Sequence, residues 1–273
     1  MMFDIGPFAM SWHGFWSFIG ILVAVFLVAR WAKRDGISTD IAYDVALWGI
    51  LGGIIGARLM HVFDNTDYYF ENPGKIFAVW QGGIGFLGAM IGGILAGGIF
   101  AKIKNYPVGK IADYAAPAMA IAHIIGRIGD IWNGEHLSTP TDLPWGWVFS
   151  HPNSPGRIGA ERLFNDPNIA VHPAVVYEMI WNAFTILFLF KSRGKFKMDG
   201  SLWIIYMFMY SIGRFIIQFT RMDDVKFSIG NLGIQEAHIV TFSLFIITLI
   251  LSILFLRVKG NNSDNDQKIK KAS

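Results

Sequence analysis

Residues Ile125 to Glu135 read IGRIGDIWNGE. They close an apolar run that opens near Ile111, and they put Arg127, Asp130, Asn133 and Glu135 at its end. A charged side chain near the centre of a bilayer costs roughly 2.5–3.5 kcal/mol on insertion scales. It persists there only with a partner, a wet cavity or a ligand. Four polar groups gathered at one end of one run therefore mark a candidate site, and the rest of the chain reads as its housing.

Working outward, the composition says what kind of housing this is. Of 273 residues, 53% are hydrophobic, and the mean hydropathy is +0.42. Soluble domains run near about 45–50% apolar even with glycine counted. Long runs with few charges point to an all-α polytopic membrane protein. The net charge of +3 carries little information, and no nucleic-acid partner is expected. There is no cysteine, which excludes disulfides, thiolate metal ligands and a cysteine nucleophile belonging to the chain itself. No His or Cys spacing supports a metal site, and no cofactor is expected. The N-terminal stretch lacks a basic region and a small-residue cleavage site, so the first apolar run reads as a retained span.

Hydropathy places seven transmembrane helices at about 12–31, 42–63, 82–101, 111–132, 174–190, 202–220 and 235–256. The third is rich in glycine. Gly88/Gly92 and Gly93/Gly97 are small-xxx-small pairs that let helices approach closely. No Gly-Lys-Ser/Thr follows them, so they are not a phosphate loop. Between the second and third spans, Asn72-Pro73-Gly74 signals a turn among aromatics suited to the lipid–water interface. Residues 133–173 are dense in Pro, Asn, Asp and Ser and read as a small, irregular extracytoplasmic cap. Residues 258–273 read as a disordered cytoplasmic tail, and residues 1–257 as one membrane domain.

Orientation follows from the basic residues. Of the 23 Lys and Arg, fifteen follow the first, third, fifth and seventh spans. Five lie on the opposite side: Lys75, Arg157, Arg162, Arg221 and Lys226. Arg58, Arg127 and Arg214 lie within spans. The C-terminus is then cytoplasmic and the N-terminus outside. In that frame the three intramembrane arginines, His13, Tyr177-Glu178 and Glu236-His238 all fall in the outer half of the membrane. Guanidinium binds phosphate bidentately and stays charged, so the layer suits a phospholipid headgroup.

Each signal also has a purely structural reading. Arg127 with Glu135 would serve as an ion pair anchoring the cap. Arg214 and Arg58 could reach the interface along their own stems. Tyr177-Glu178, after His172-Pro173, would suit a helix start, where Glu meets the positive end of the dipole. Asp113 reads as packing or capping, and His123 as a satisfied packing residue.

Taken together, GRIGDIWNGE, GARLMHV in span 2, QGGIGFLGAMIGG in span 3, ADYAAP in span 4, VHPAVVYE at span 5 and YSIGRFIIQFTR in span 6 resemble the phosphatidylglycerol–prolipoprotein diacylglyceryl transferase family. The focal stretch is similar to that family's signature, Gly-Arg-x-Gly-Asn-(Phe)-x-Asn-x-Glu. The likeness runs to about Arg221. It implies transfer of the diacylglyceryl group of phosphatidylglycerol to the lipobox cysteine of lipoprotein precursors, forming a thioether and releasing glycerol phosphate. It also implies a multi-pass protein of the bacterial cytoplasmic membrane, whose partners are phosphatidylglycerol, precursor signal peptides and the bilayer. By this resemblance Arg127 and Arg214 act on the lipid phosphate, and Glu135 joins them as a catalytic candidate. Asn133, Asp130, Arg58, Tyr210, Tyr177, Glu178 and His13 are candidate substrate-binding residues.

The chain departs from the family pattern at four places. Leu87 stands where many members carry a His, Asp130 at the signature Asn, His13 at a Tyr, and Gln218 at an acid one turn beyond Arg214. The thiol must lose its proton, because the thiolate is the nucleophile. Glu135, Asp130 or His13 would take it, or arginine polarisation suffices. The alternatives are a divergent homologue that binds anionic lipid or precursor without turnover, and a small transporter or channel. Against the transporter stand the absent repeats and a polar layer confined to one half of the membrane.

Overall fold

The computed structural model describes residues 2–5, 8–79, 82–83, 85–223, 225–229 and 232–256. The tail 258–273 lies outside the described residues. Among those residues seven long helices coincide with the apolar runs: α1 (Trp12–Arg34), α2 (Thr39–Asp64), α4 (Phe86–Ile103), α5 (Val108–Asn133), α7 (Ala174–Ser192), α8 (Ser201–Gln218) and α9 (Glu236–Phe255). Two short helices, α3 (Thr66–Glu71) and α6 (Pro155–Phe164), and a 3-10 turn at Pro73–Phe77 lie between them. Two antiparallel hairpins complete the description: β1 (Met2–Ile5) with β2 (Phe8–Ser11), and β3 (Val225–Ile229) with β4 (Leu232–Gln235).

Five helices, α1, α2, α7, α8 and α9, are long and apolar enough to cross a bilayer. In α4 the apolar portion is shorter, Leu87–Ile103. α5 is 26 residues long but carries Lys110, Asp113, Arg127 and Asp130. Large apolar side chains cover the outside of the bundle. Phe26 is 57% exposed, Ile55 60% and Ile253 76%. An exterior of that kind is matched to lipid rather than water. The protein is a polytopic, helical membrane protein.

α5 is the centre of the bundle. Its alanines 116, 118 and 120 are fully buried, and side chains that small let neighbours close in on several faces. α1 runs antiparallel along one side, with Gly20 against Ala122 and Gly129 against His13. α7 also runs antiparallel to α5, and α8 runs parallel to it. The registers are Arg127 with Glu178, Asp113 with Gly200 and Leu202, and His123 with Tyr206. The glycine pairs of α4 do bring helices together, and the partner is α2. A Cβ on Gly56 would strike the Gly88 carbonyl oxygen, and one on Gly92 the Gly52 carbonyl oxygen.

The helix ends bring the polar residues into position. Asp113 accepts backbone N–H bonds from Gly200 (2.9 Å), Leu202 (2.8 Å) and Trp203 (3.3 Å). It thereby caps α8, whose own N-cap is Gly200, and the capping role expected for Asp113 holds. Gly134 ends α5 in the left-handed region (φ +64°), which glycine enters without steric cost. The chain then turns back, so that His136 and the segment before α7 lie against the end of α5. In that segment α6 is a regular helix capped by Ser154, and Pro140 and Trp147 each pair with Val171. Residues 133–173 are therefore less irregular than their composition suggests.

Candidate functional site

The ends of α5 and α8 and the starts of α1 and α7 meet at one end of the bundle. Glu178 is at the centre. It is 6% exposed. Its Oε2 is paired with Arg127 Nη2. Its Oε1 accepts from Arg214 Nη1 at 2.5 Å, with Arg221 Nη1 at 3.5 Å. One carboxylate is shared by three guanidiniums. Glu178 lies in the second turn of α7, which has no acid in its first turn. α7 does start directly after His172-Pro173, as the helix-start reading expects, and Glu178 in its second turn is paired with arginines.

A second carboxylate links this cluster to α1. Asp130 is fully buried at its side chain. Its Oδ2 accepts from Arg127 Nη1 at 2.6 Å, and its Oδ1 lies 2.5 Å from His13 Nδ1. His136 bridges the two halves: Nδ1 faces Arg221 Nη2 at 2.7 Å, and Nε2 faces Asp130 Oδ2 at 3.4 Å. Glu135 does not pair with Arg127, as the anchoring reading would require. Its Oε1 accepts from Asn133 Nδ2 at 2.6 Å. Tyr210 lies within electrostatic reach of Arg214, Glu178 and Arg127, its ring centroid 5.7 Å from that of His123. His123 bonds Tyr206 at 3.2 Å, in keeping with a packing role. A cleft of about 20 Å³, room for roughly one water, opens beside Asp130, Glu135 and His136.

Two expected members lie elsewhere. Arg58 commits all three nitrogens to backbone carbonyls: Nε to Ile76 (2.7 Å), Nη1 to Gly82 (2.7 Å) and Gly83 (2.8 Å), Nη2 to Lys75 (2.5 Å). It clamps the segment between α3 and α4, with its guanidinium 5.2 Å from the centre of the Tyr69 ring, and it does not join the other arginines. Tyr177 hydroxyl accepts from Trp145 Nε1 at 2.9 Å and lies 3.2 Å from His172 Nδ1. It lines an open apolar groove of about 490 Å³ with Trp145, Trp147, Pro173, Val176 and Ile180.

Arg221 and His136 were missed. Arg221, assigned by its position to an outer loop, is 4% exposed. Burial and nearby Arg214 push its pKa down, against the pull of Glu178 and Asp223. Burial pushes the Asp223 carboxyl up, but Arg221 and a hydrogen bond from Gln218 outweigh it, leaving the pKa below the usual carboxylate range. A signal for Arg221 was present: it follows Arg214 by seven residues, just beyond the end of α8 at Gln218. Gln218, at the intervening turn, is fully buried and donates to Asp223 (2.6 Å) and to Gln235. Gln235 in turn donates to the Arg221 carbonyl at 2.9 Å. Nothing local in the sequence indicated His136.

Three guanidiniums converge on Glu178, and Asp130 and Asp223 hold two of them from outside. By spacing alone, His13, Asp130 and Glu135 could also meet at a cation, since their ligand atoms lie within 4.8 Å of one another. Arg127 already holds the second oxygen of Asp130 there, and its fixed charge opposes a metal ion.

Comparison with known proteins shows the family. The family model for prolipoprotein diacylglyceryl transferase matches residues 1–254. The chain is 35% identical over 242 residues to the phosphatidylglycerol–prolipoprotein diacylglyceryl transferase of Trichormus variabilis, covering 86% of this chain and 83% of the relative. It is 34% identical to the enzyme of that name from Lysinibacillus sphaericus, covering 94% and 92%. With the Staphylococcus aureus enzyme the identity is 33%, covering 95% and 89%. With a matching family model over nearly the whole chain and relatives at 33–35% identity, the chain belongs to the prolipoprotein diacylglyceryl transferase family.

Proposed function

We propose that this protein transfers the diacylglyceryl group of phosphatidylglycerol to the lipobox cysteine thiol of lipoprotein precursors, leaving a thioether and releasing glycerol phosphate. The observation that carries this reading is the convergence of Arg127, Arg214 and Arg221 on Glu178 at one end of a lipid-exposed helical bundle. An anionic phosphodiester would compete with Glu178 for the same N–H groups. Fixed positive charge at a water-poor site stabilises the phosphate as negative charge develops on it. Asp130 and Glu178 orient Arg127, Tyr210 lies close to the arginines, and Glu135 borders the cleft with Asn133 hydrogen-bonded to it. Arg58 and Tyr177 would act at the periphery, through the segment and the groove that they hold.

In this reading all seven long helices span the bacterial cytoplasmic membrane. The N-terminus lies outside, the C-terminus in the cytoplasm, and residues 133–173 form the extracytoplasmic cap of a membrane domain covering 1–257. The excess of Lys and Arg after α1, α4 and α7 supports that orientation. Leu87, half-buried in the first turn of α4, keeps a second reading in play, in which the chain binds anionic lipid or precursor without turnover.

The test is to incubate detergent-purified protein with phosphatidylglycerol and a lipobox peptide, and to look for the diacylglyceryl thioether by mass spectrometry. Product from the wild type that disappears with Arg127→Ala supports the transferase. No product from the wild type, but product from Leu87→His, would identify a binder that has lost its base.

A further inference from the structure

We infer that His13, held by Asp130, is the group that takes the proton from the incoming thiol; this rests on the transferase reading above. A thiol needs such a group, because near neutral pH only a small part of it is thiolate.

Four imidazoles among the described residues could compete. His172 lines the cleft, but its Nδ1 is engaged by the Tyr177 hydroxyl at 3.2 Å and not by a carboxylate. The hydrogen bonds of the other three separate them. His123 is engaged with Tyr206 through Nδ1 at 3.2 Å and does not line the cleft. His136 faces Arg221 Nη2 through Nδ1. Arginine can only donate, so Nδ1 is the acceptor, and Nε2 lies 3.4 Å from both Asp130 Oδ2 and Arg127 Nη1, either of which occupies it. That ring has no lone pair left for a thiol. In His13 the pattern is reversed. Nδ1 lies 2.5 Å from a carboxylate oxygen that can only accept, so Nδ1 carries the proton and Nε2 carries the lone pair. His13 Nε2 hydrogen-bonds to none of the described residues, and the side chain is 47% exposed.

Asp130 makes the arrangement rigid. It is buried, and its two oxygens serve two different partners: Oδ1 holds His13, and Oδ2 holds Arg127 at 2.6 Å. One carboxylate therefore fixes the proton acceptor and a phosphate-binding cation relative to each other. The charged groups facing His13 are Asp130, Glu135 and Arg127, all from α5 or its end. Asp130 is a positioning residue and remains ionised, as the acid does in a Ser-His-Asp triad. Glu135 is the rival acceptor, but its Oε1 already accepts from Asn133.

The step balances. The S–H bond breaks and its proton passes to His13 Nε2. The thiolate forms a bond to the terminal glyceryl carbon. The C–O bond to phosphate breaks, and its electron pair leaves on glycerol phosphate. The imidazolium then releases its proton to water.

The test measures thioether formation between phosphatidylglycerol and a lipobox peptide from pH 6 to 10, for wild type, His13→Gln, His13→Gly and Asp130→Asn. Phosphatidylglycerol binding and Tm are followed in parallel. We expect His13→Gln to bind lipid normally and to lose activity about 10²-fold or more at neutral pH. Its rate should climb towards that of the wild type as the thiol ionises by itself, near about 8.5. Added imidazole should restore His13→Gly. Asp130→Asn should lose lipid affinity as well as rate. Normal neutral-pH activity in a folded His13→Gln would overturn the assignment while leaving the transferase reading intact. So would an equal loss at every pH with no imidazole rescue, which would mark His13 as structural. No product from the wild type at any pH would remove both.

Discussion

Arg214 Nη1 lies 2.5 Å from Glu178 Oε1, and that carboxylate is the common counter-ion of Arg127, Arg214 and Arg221. Removing one partner of a buried ion pair costs about 3–5 kcal/mol, because the other charge is left uncompensated. Glu178→Gln should therefore lower Tm markedly. Phosphatidylglycerol should raise the Tm of that variant more than it raises the wild type's, because the phosphate replaces the missing charge. A variant that melts like the wild type, with or without lipid, would show that Glu178 is not the counter-ion.

Arg221 faces Glu178, His136 and Asp223 at once. Only a planar fork of donors reaches all three. Arg221→Ala should cut thioether formation by about 10²–10³-fold, in the range of losing one donor to a developing anion. Arg221→Lys should recover little of it. Near-normal rates from Arg221→Lys would reduce the residue to a simple positive charge.

Arg58 predicts the opposite profile. Its bonds to the carbonyls of Lys75, Ile76, Gly82 and Gly83 hold backbone, not ligand. Arg58→Ala should lose roughly 2 kcal/mol or more of stability and leave the Kd for phosphatidylglycerol unchanged. A folded variant with wild-type Tm and weakened lipid binding would return Arg58 to the headgroup.

The α2–α4 contact can be probed by adding one methyl group. A Cβ at Gly56 would meet the Gly88 carbonyl oxygen and the Gly92 Cα, whereas one at Gly98 meets nothing within 4 Å. Gly56→Ala should cost about 1–3 kcal/mol through overpacking. Gly98→Ala should be neutral or slightly stabilising. Detergent melting curves decide it, and equal effects at both positions would rule out close packing as the reason for the glycines.

The long helices could be read from the chain because a bilayer-length apolar run has few other ways to satisfy its backbone polar groups. The GRIGDIWNGE stretch announced a site for the same reason: charge at the end of such a run needs an explanation. Composition excluded a cysteine nucleophile outright, and the glycine pairs of α4 signalled close packing without naming α2 as the partner.

What the chain could not reveal was which polar groups meet. Arg58, Arg127 and Arg214 look alike by depth, but the fold ties Arg58 to carbonyls and puts Arg221 in the cluster instead. Glu135 looked like Arg127's partner, yet Asp130 and Glu178 are nearer. Ion pairing depends on ångström distances between elements far apart in sequence, and hydropathy resolves depth only to about a helical turn. Helices and their polar ends were properties of the sequence. The choice of Glu178 as common counter-ion, and the pairing of His13 with Asp130 across α1 and α5, came from how the helices pack.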